Sequence, residues 1–436
     1  MQFNRRHFLC GASAVSLSFT SMMRALQVDA AASNTTLVVL YLSGGNDGFN
    51  TVIPLGQYGA YIGLRPRIGV LQSDIAAAGT AFDNNTATPA AAATTYAFHP
   101  KMTALRAKYA QGNLAVLMGG ALPPTAPGLR SHPNAQFAWL TGAIDKYLAT
   151  TIGWAGAAID QFSPLTASIA SMISVSGSQP ILFGSKQSSA ISFGGTLEGF
   201  KQPFPANQLA ADLVTQAQDS TNLQNYSTAD AATERVRGIS TATGIAVGKV
   251  AQLAVQVTAL DYTTKFTNSA GATGASNLKT QLQQIARLIL AGNDSKAYHA
   301  ALGGFDSHSA QLTSQPDLLK LLSEATSEFM DYLAAKNPAT AQNVILMTAS
   351  EFGRTPRENA SAGTDHGSSS MHFCMGAKIK GGVYGAYPSL LAKDLDSNGY
   401  AAVSYDYRNY VADIIATMGA DPVPIVGKSY PKLGFV

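Results

Sequence analysis

The chain is 436 residues long, with 46% hydrophobic and only 13% charged residues and a formal net charge of +3. That near-neutral balance gives no electrostatic case for nucleic acid as a partner. The length exceeds the usual size of a single core, so one large α/β domain with insertions, or two subdomains, is expected.

Residues 1–32 read as a targeting segment. Asn4-Arg5-Arg6-His7-Phe8-Leu9 is a twin-arginine pattern, a weakly apolar stretch runs from Cys10 to Met23, and Ala30-Ala31-Ala32 would release a chain beginning near Ser33. The apolar stretch is rich in Ser and Ala and short for a bilayer, so no stable membrane anchor is expected in the mature chain. The implied partner is the twin-arginine export machinery, which carries folded proteins, and the implied location is periplasmic or secreted. Of the two cysteines, Cys10 leaves with this segment, so Cys374 has no intrachain partner.

The run from Thr35 to Leu42 is continuously apolar and β-branched, as a strand covered on both faces of a parallel sheet would be. It ends in Ser43-Gly44-Gly45-Asn46-Asp47-Gly48, which places Asp47 just past a strand end. This loop lacks the G-x-G-x-x-G spacing of a dinucleotide site. Residues 75–95, rich in Ala, Thr and Asn, read as a surface loop. His99-Pro100 opens a predicted helix with Met102, Leu105 and Tyr109 on its apolar face. A second buried strand, Leu114 to Gly120, leads through a Pro-rich loop to Arg130-Ser131-His132-Pro133 and a helix ending at Gly142. Ser131 or His132 would stand at that helix's N-terminus, where free amides favour an oxyanion; Ser131 also suits a plain helix cap.

Residues from roughly 150 to 290 carry no motif and read as a helical cap or insertion over the sheet edge. Strands are predicted at Met172–Val175 and Pro180–Phe183, and an exposed loop from Gly194 to Pro205. Helical patterns dominate from Thr233, for example Leu278, Leu282, Ile285, Leu288 and Ile289. Pro316 starts a helix with Leu318, Leu322, Ala325, Phe329 and Leu333 on one face, followed by a strand from Val344 to Thr348. Strand, helix, strand with short links is a βαβ unit, so the fold class is α/β, with a doubly wound, mostly parallel sheet and helices on both faces. A hairpin is predicted at Lys378–Tyr384 and a last helix at Tyr407–Met418.

Chemistry concentrates between Gly303 and His372. At a strand end, Asp306 and His308 at i, i+2 project to one side, as two metal ligands or as a base with its orienting partner. Glu351 follows an apolar run and lies at the same carboxyl edge, where open α/β sheets bind ligands. Asp365-His366, between Gly363 and Gly367, reads as a loop returning there. His99, His299 and His372 read as packing or loop histidines, His99 being the one closest to an exception.

The residues Ser43–Gly48, Arg130-Ser131-His132, Phe305–His308, Ser350–Arg357 and Thr364–Gly367, in order along the chain, resemble the exported DUF1501 family, itself similar to the alkaline phosphatase and sulfatase superfamily. Two shorter stretches, His99–Leu105 and Ala138–Gly142, resemble sulfatase helices. The resemblance implies one alkaline phosphatase-like domain over residues 33–436. It also implies one or two divalent ions, zinc or manganese rather than calcium, held by Asp47, Asp306, His308, Glu351, Asp365 and His366. Ser131, His132 or water would be the nucleophile, and Arg130 or Arg354 would clamp a small anionic ester substrate. The implied activity is hydrolysis of phosphate or sulfate esters; no Cys-x-Pro-x-Arg occurs for a formylglycine sulfatase. Two rivals are a catalytically degenerate relative acting as an envelope binding or assembly protein, and a metal-independent serine esterase built on Ser131. Ser131 lacks a Gly-x-Ser-x-Gly elbow.

Overall fold

The computed structural model describes residues 34–83, 96–124, 128, 130–144, 152–162, 171–186, 188, 190–194 and 278–436. The expected signal, most of the Gly194–Pro205 loop and the helical patterns from Thr233 to residue 277 lie outside the described residues.

The described strands are β1 (Thr36–Leu42), β2 (Val52–Pro54), β3 (Ala81–Phe82), β4 (Tyr96–Phe98), β5 (Leu114–Ala121), β6 (Met172–Ser174), β7 (Ala190–Ser192), β8 (Ala297–Leu302), β9 (Val344–Ser350), β10 (Ser370–Met375), β11 (Gly382–Gly385) and β12 (Tyr405–Asp406). Nine of them form the central sheet, in the order β11-β5-β10-β9-β1-β8-β6-β7, with β12 also paired to β5; β2, β4 and β3 make a small antiparallel sheet. Every pairing in the large sheet is parallel except those of β10, which runs against both β5 and β9.

β1 is central because it is apolar on both sides. Val38, Leu40 and Leu42 pack into one core with the helices Thr103–Ala110, Leu278–Leu290 and Gln315–Lys336. Leu37, Val39 and Tyr41 pack into a second core with His132–Thr141, Trp154–Asp160 and Tyr407–Thr417. A strand in a sheet covered on both faces must read as an unbroken apolar run, and TLVVLYL does. The long helix Gln315–Lys336 is amphipathic as predicted: Leu319, Leu322, Ala325, Phe329 and Leu333 are buried, with Leu318 at the margin.

Four predicted elements are corrected. Within 75–95 the chain forms the end of a helix, Gln72–Ala78, and then β3, with 84–95 outside the described residues. Pro180–Phe183 is a single 3₁₀ turn, because Phe183 N and Gly184 N donate to the carbonyls of Pro180 and Ile181. Lys378–Tyr384 is not a hairpin: Lys380 N donates to Phe435 O, and the chain then adds β11 parallel to β5. The described parts of 150–290 do not sit over the sheet edge; β6 and β7 extend the sheet through β8, and the Leu278–Leu290 helix belongs to its core.

Register aligns the ends that matter. Leu42 pairs with Leu302 of β8 and Ser350 of β9, so three parallel strands finish level. Gly44, in the left-handed region at φ 112°, lets the loop after β1 lie against the backbone of Phe305 and Asp306, where a Cβ would collide. Leu322→Ala, in the fully buried stripe of the long helix, is expected to cost about 2–5 kcal/mol, read as a lowered urea midpoint; exposed Leu312→Ala should leave it unchanged.

Candidate metal centre

Four segments meet at the carboxyl edge of the sheet: the loop after β1, the Asp306–His308 turn after β8, the Glu351–His366 excursion after β9, and the start of the His132–Thr141 helix after β5. They converge on Asp306. Its Oδ2 lies 3.5 Å from His132 Nε2, and its Oδ1 lies 3.1 Å from His308 Nε2 and 3.3 Å from His366 Nε2. The ligand atoms of His132, Asp306 and His366 all fall within 4.8 Å of one another. His308 adjoins the group, its Nε2 2.9 Å from that of His366.

Each imidazole is held from behind. His132 Nδ1 donates to Glu351 Oε2, His366 Nδ1 to the Arg130 carbonyl at 2.7 Å, and His308 Nδ1 to Asp365 Oδ1 at 3.3 Å. Carboxylate and carbonyl oxygens can only accept, so each Nδ1 carries a proton, and a neutral ring would keep its lone pair on the Nε2 that faces Asp306. Asn359 steadies the His308 limb, its Nδ2 donating to both the His308 carbonyl and Asp365 Oδ1. Burial lowers the His366 pKa, with Arg354 and His132 adding to the effect, which favours the neutral imidazole a metal needs. Burial alone would raise the Asp306 carboxyl, but hydrogen bonding and charge from Arg354 outweigh it and hold the group below its usual range.

The donor set of His132, His366 and Asp306 fits a metal ion: two imidazole Nε2 atoms and a carboxylate lie together, with each Nδ1 already tied to an acceptor. The other expected ligands do not join them. Asp47 is fully buried and satisfied by internal donors. Arg65 grips both its oxygens, at 2.5 and 2.9 Å, while Phe49 N and Gln311 Nε2 fill the remaining positions. Glu351, also fully buried, accepts from His132, Gln136 Nε2, Gly44 N and Ser43 Oγ. Asp365 stands behind His308 rather than within the cluster.

The catalytic candidates divide. Arg354 is not available to clamp a substrate. Its buried guanidinium donates to the carbonyls of Gly44, Gly45, Phe305 and Thr364 and to Asp306 Oδ1. Arg130 stacks its guanidinium 3.6 Å above the Tyr400 ring, and its Nε is buried with no hydrogen-bond partner among the described residues. Ser131 is the exposed N-cap of its helix and makes no side-chain cap bond. His132, weighed as a nucleophile from the sequence, has both nitrogens committed to the cluster. Of the three histidines set aside, His299 and His372 are buried and burial lowers both, to about 4 and about 3. His99 is likewise lowered to about 4, and its Nδ1 accepts from Lys101 N in a turn.

A family model described as "Protein of unknown function (DUF1501)" matches residues 34–427. The chain belongs to that family. No curated protein matches it significantly. Among solved structures it is similar to a 2-O GAG sulfatase, at 8% identity and TM-score 0.34, covering 92% of this chain and 76% of that one. It is also similar to a variant of TAB5 alkaline phosphatase with Mg bound, at 9% identity and TM-score 0.30, covering 92% and 99%.

Sequence reasoning missed Arg65, Gln136, Gln311 and Asn359. Only Arg65 left a signal, as a cation directly after an apolar helix in a chain poor in charge. Because removing one member of a buried ion pair strands the other, Arg65→Met should destabilise the protein by about 3–5 kcal/mol. His366→Ala at the rim should cost far less; comparing the thermal unfolding of the two proteins checks both.

Proposed function

We propose that this DUF1501 protein is an exported, metal-dependent hydrolase of small phosphate or sulfate esters. The observation that carries the reading is the convergence of His132, Asp306 and His366 on one point at the carboxyl edge of the sheet. A divalent ion there would supply positive charge for a phosphoryl or sulfuryl oxygen and acidity for an attacking water. The chain's own residues do the rest. Glu351, Asp365 and the Arg130 carbonyl fix which nitrogen of each histidine carries its proton. Arg354 holds Asp306 as a carboxylate. Arg130 is left as the clamp for the substrate anion: stacking on Tyr400 pre-orients a planar fork whose Nε has no partner among the described residues.

Water is the attacking group in this reading. His132 is engaged at both nitrogens, and the Ser131 side chain makes no hydrogen bond to the cluster among the described residues. Zinc or manganese suits the mixed imidazole and carboxylate donors. Export by the twin-arginine route to the periplasm or beyond follows from Arg5-Arg6 and belongs to the same proposal; among the described residues no helix is long and apolar enough to cross a membrane. The closing of Asp47 and Glu351 into internal hydrogen bonds favours one rival, a family member that has kept the fold and binds without turnover.

An aryl phosphate, a phosphodiester and an aryl sulfate offered to metal-replete protein separate the two readings. Turnover of at least one ester is expected. His366→Ala should lower it by at least about 10³-fold, the several kcal/mol of charge stabilisation expressed as a rate. Arg130→Ala should raise KM more than it lowers kcat, and Ser131→Ala should stay within about threefold of wild type, as the loss of an unused cap would. Metal binding with no turnover of any ester would favour the rival.

A further inference from the structure

We infer that Arg67, which lies outside the centre, is a positioning residue that latches the backbone limb carrying His308, and that this limb is held under strain. The latch itself needs no ester or ion; its bearing on turnover rests on the hydrolase reading above.

The strain is local and paired. Among the described residues, two that are not glycine stand in the left-handed region, Ala310 at φ 45° and Ala362 at φ 54°. A Cβ makes that conformation costly. Ala310 is exposed, so packing of its methyl group does not hold it there. Hydrogen bonds do. Ala310 N donates to Ser361 O at 3.0 Å and Gln311 N to Ala362 O at 2.9 Å, so the two strained residues face each other across one ladder. Thr364 N donates to Ser307 O at 3.0 Å, and Asn359 Nδ2 to the His308 carbonyl at 2.9 Å. The segments lie so close that a Cβ at Gly363 would meet the His308 carbonyl carbon at 2.3 Å. These bonds fix the backbone beneath His308, and Asn359 also reaches Asp365, the partner of the His308 ring.

A strained ladder of loop backbone near solvent opens readily unless its outer segment is anchored. The anchor is Arg67. Its Nε donates to Glu358 Oε1 at 2.6 Å, and its two terminal nitrogens donate to the carbonyls of Ala360 and Asn359. Glu358 Oε2 accepts in return from Arg67 N and Ile68 N at 2.9 and 3.0 Å, and Glu358 N donates to Leu64 O. A lone exposed ion pair is worth little. Here the Arg67 side chain is 50% exposed but that of Glu358 only 6%, and charge-assisted bonds to one carboxylate and two carbonyls set the geometry. Asn359 is thereby gripped at its own carbonyl on one side while its side chain holds His308 on the other.

Hydrogen–deuterium exchange of the folded chain, read by mass spectrometry, tests the latch. Arg67→Met, its fold checked by circular dichroism, should speed exchange about tenfold or more in peptides covering 307–311 and 359–365, with β1 and β9 unchanged. Glu358→Gln should do the same, and the double variant no more than either alone, because both cut one connection. Strain predicts a rescue. Adding Ala310→Gly to Arg67→Met should slow that exchange again, whereas at an ordinary position glycine loosens the chain. Ala310→Gly alone should not lower the thermal midpoint, while Ala334→Gly on the exposed face of the long helix should. In an enzyme that turns over an ester, Arg67→Met should lower kcat about tenfold or more with KM little changed. Unchanged exchange in folded Arg67→Met, additive effects in the double variant, faster exchange on adding Ala310→Gly, or an unaltered kcat in an active enzyme would each overturn the inference. The expected exchange in a protein that turns over no ester would leave the latch standing and remove the hydrolase reading instead.

Discussion

The site depends on one buried cation. Arg354 sits at the end of β9 with its guanidinium withdrawn from water, which would cost several kcal/mol if it stood alone. It does not stand alone, because its nitrogens donate to carbonyls of the β1 loop at Gly44 and Gly45, of the β8 turn at Phe305, and of the returning loop at Thr364, and to the carboxylate of Asp306. Loops carry unpaired carbonyls by nature, and three of them here share a single donor group. Asp306 is thereby fixed relative to His366, whose residue also bridges to Arg354 through the backbone.

The same accounting explains which acids remain free to act. A carboxylate has a limited number of lone-pair directions, and internal donors compete for them with anything arriving from solvent. Asp47 and Glu351 lose that competition completely, while Asp306 keeps an oxygen facing the histidines and a side chain 45% exposed. Burial and donor count, rather than residue type, separate the acids that position from the acid that can ligate.

Much of the fold was legible because β1, β5 and β9 are covered on both faces and must be apolar throughout. The βαβ unit from β8 through the long helix to β9 followed from ordinary periodicity. The placing of β6 and β7 was not legible: strands of three residues carry little pattern, and the pairing of β6 with β8, on which β7 then builds, is a contact across more than a hundred residues. The expected Lys378–Tyr384 hairpin failed for a related reason. Its backbone groups pair with Phe435 and β5, partners remote in sequence, rather than with each other.

For the site, the sequence by itself determined the address. Strand-end position and glycine flanks brought Asp306, His308, Glu351, Asp365 and His366 to one edge, since a parallel sheet delivers all its carboxyl ends to the same side. Each group's role was decided only in three dimensions. His132 joins the Asp306 cluster because the helix after β5 starts opposite Glu351. Arg354 turns inward because four carbonyls need it. Asp47 is silenced by Arg65, eighteen residues away along a segment with no motif. Local sequence sets where a side chain begins, but its charge, tautomer and freedom depend on the donors and acceptors that folding places around it.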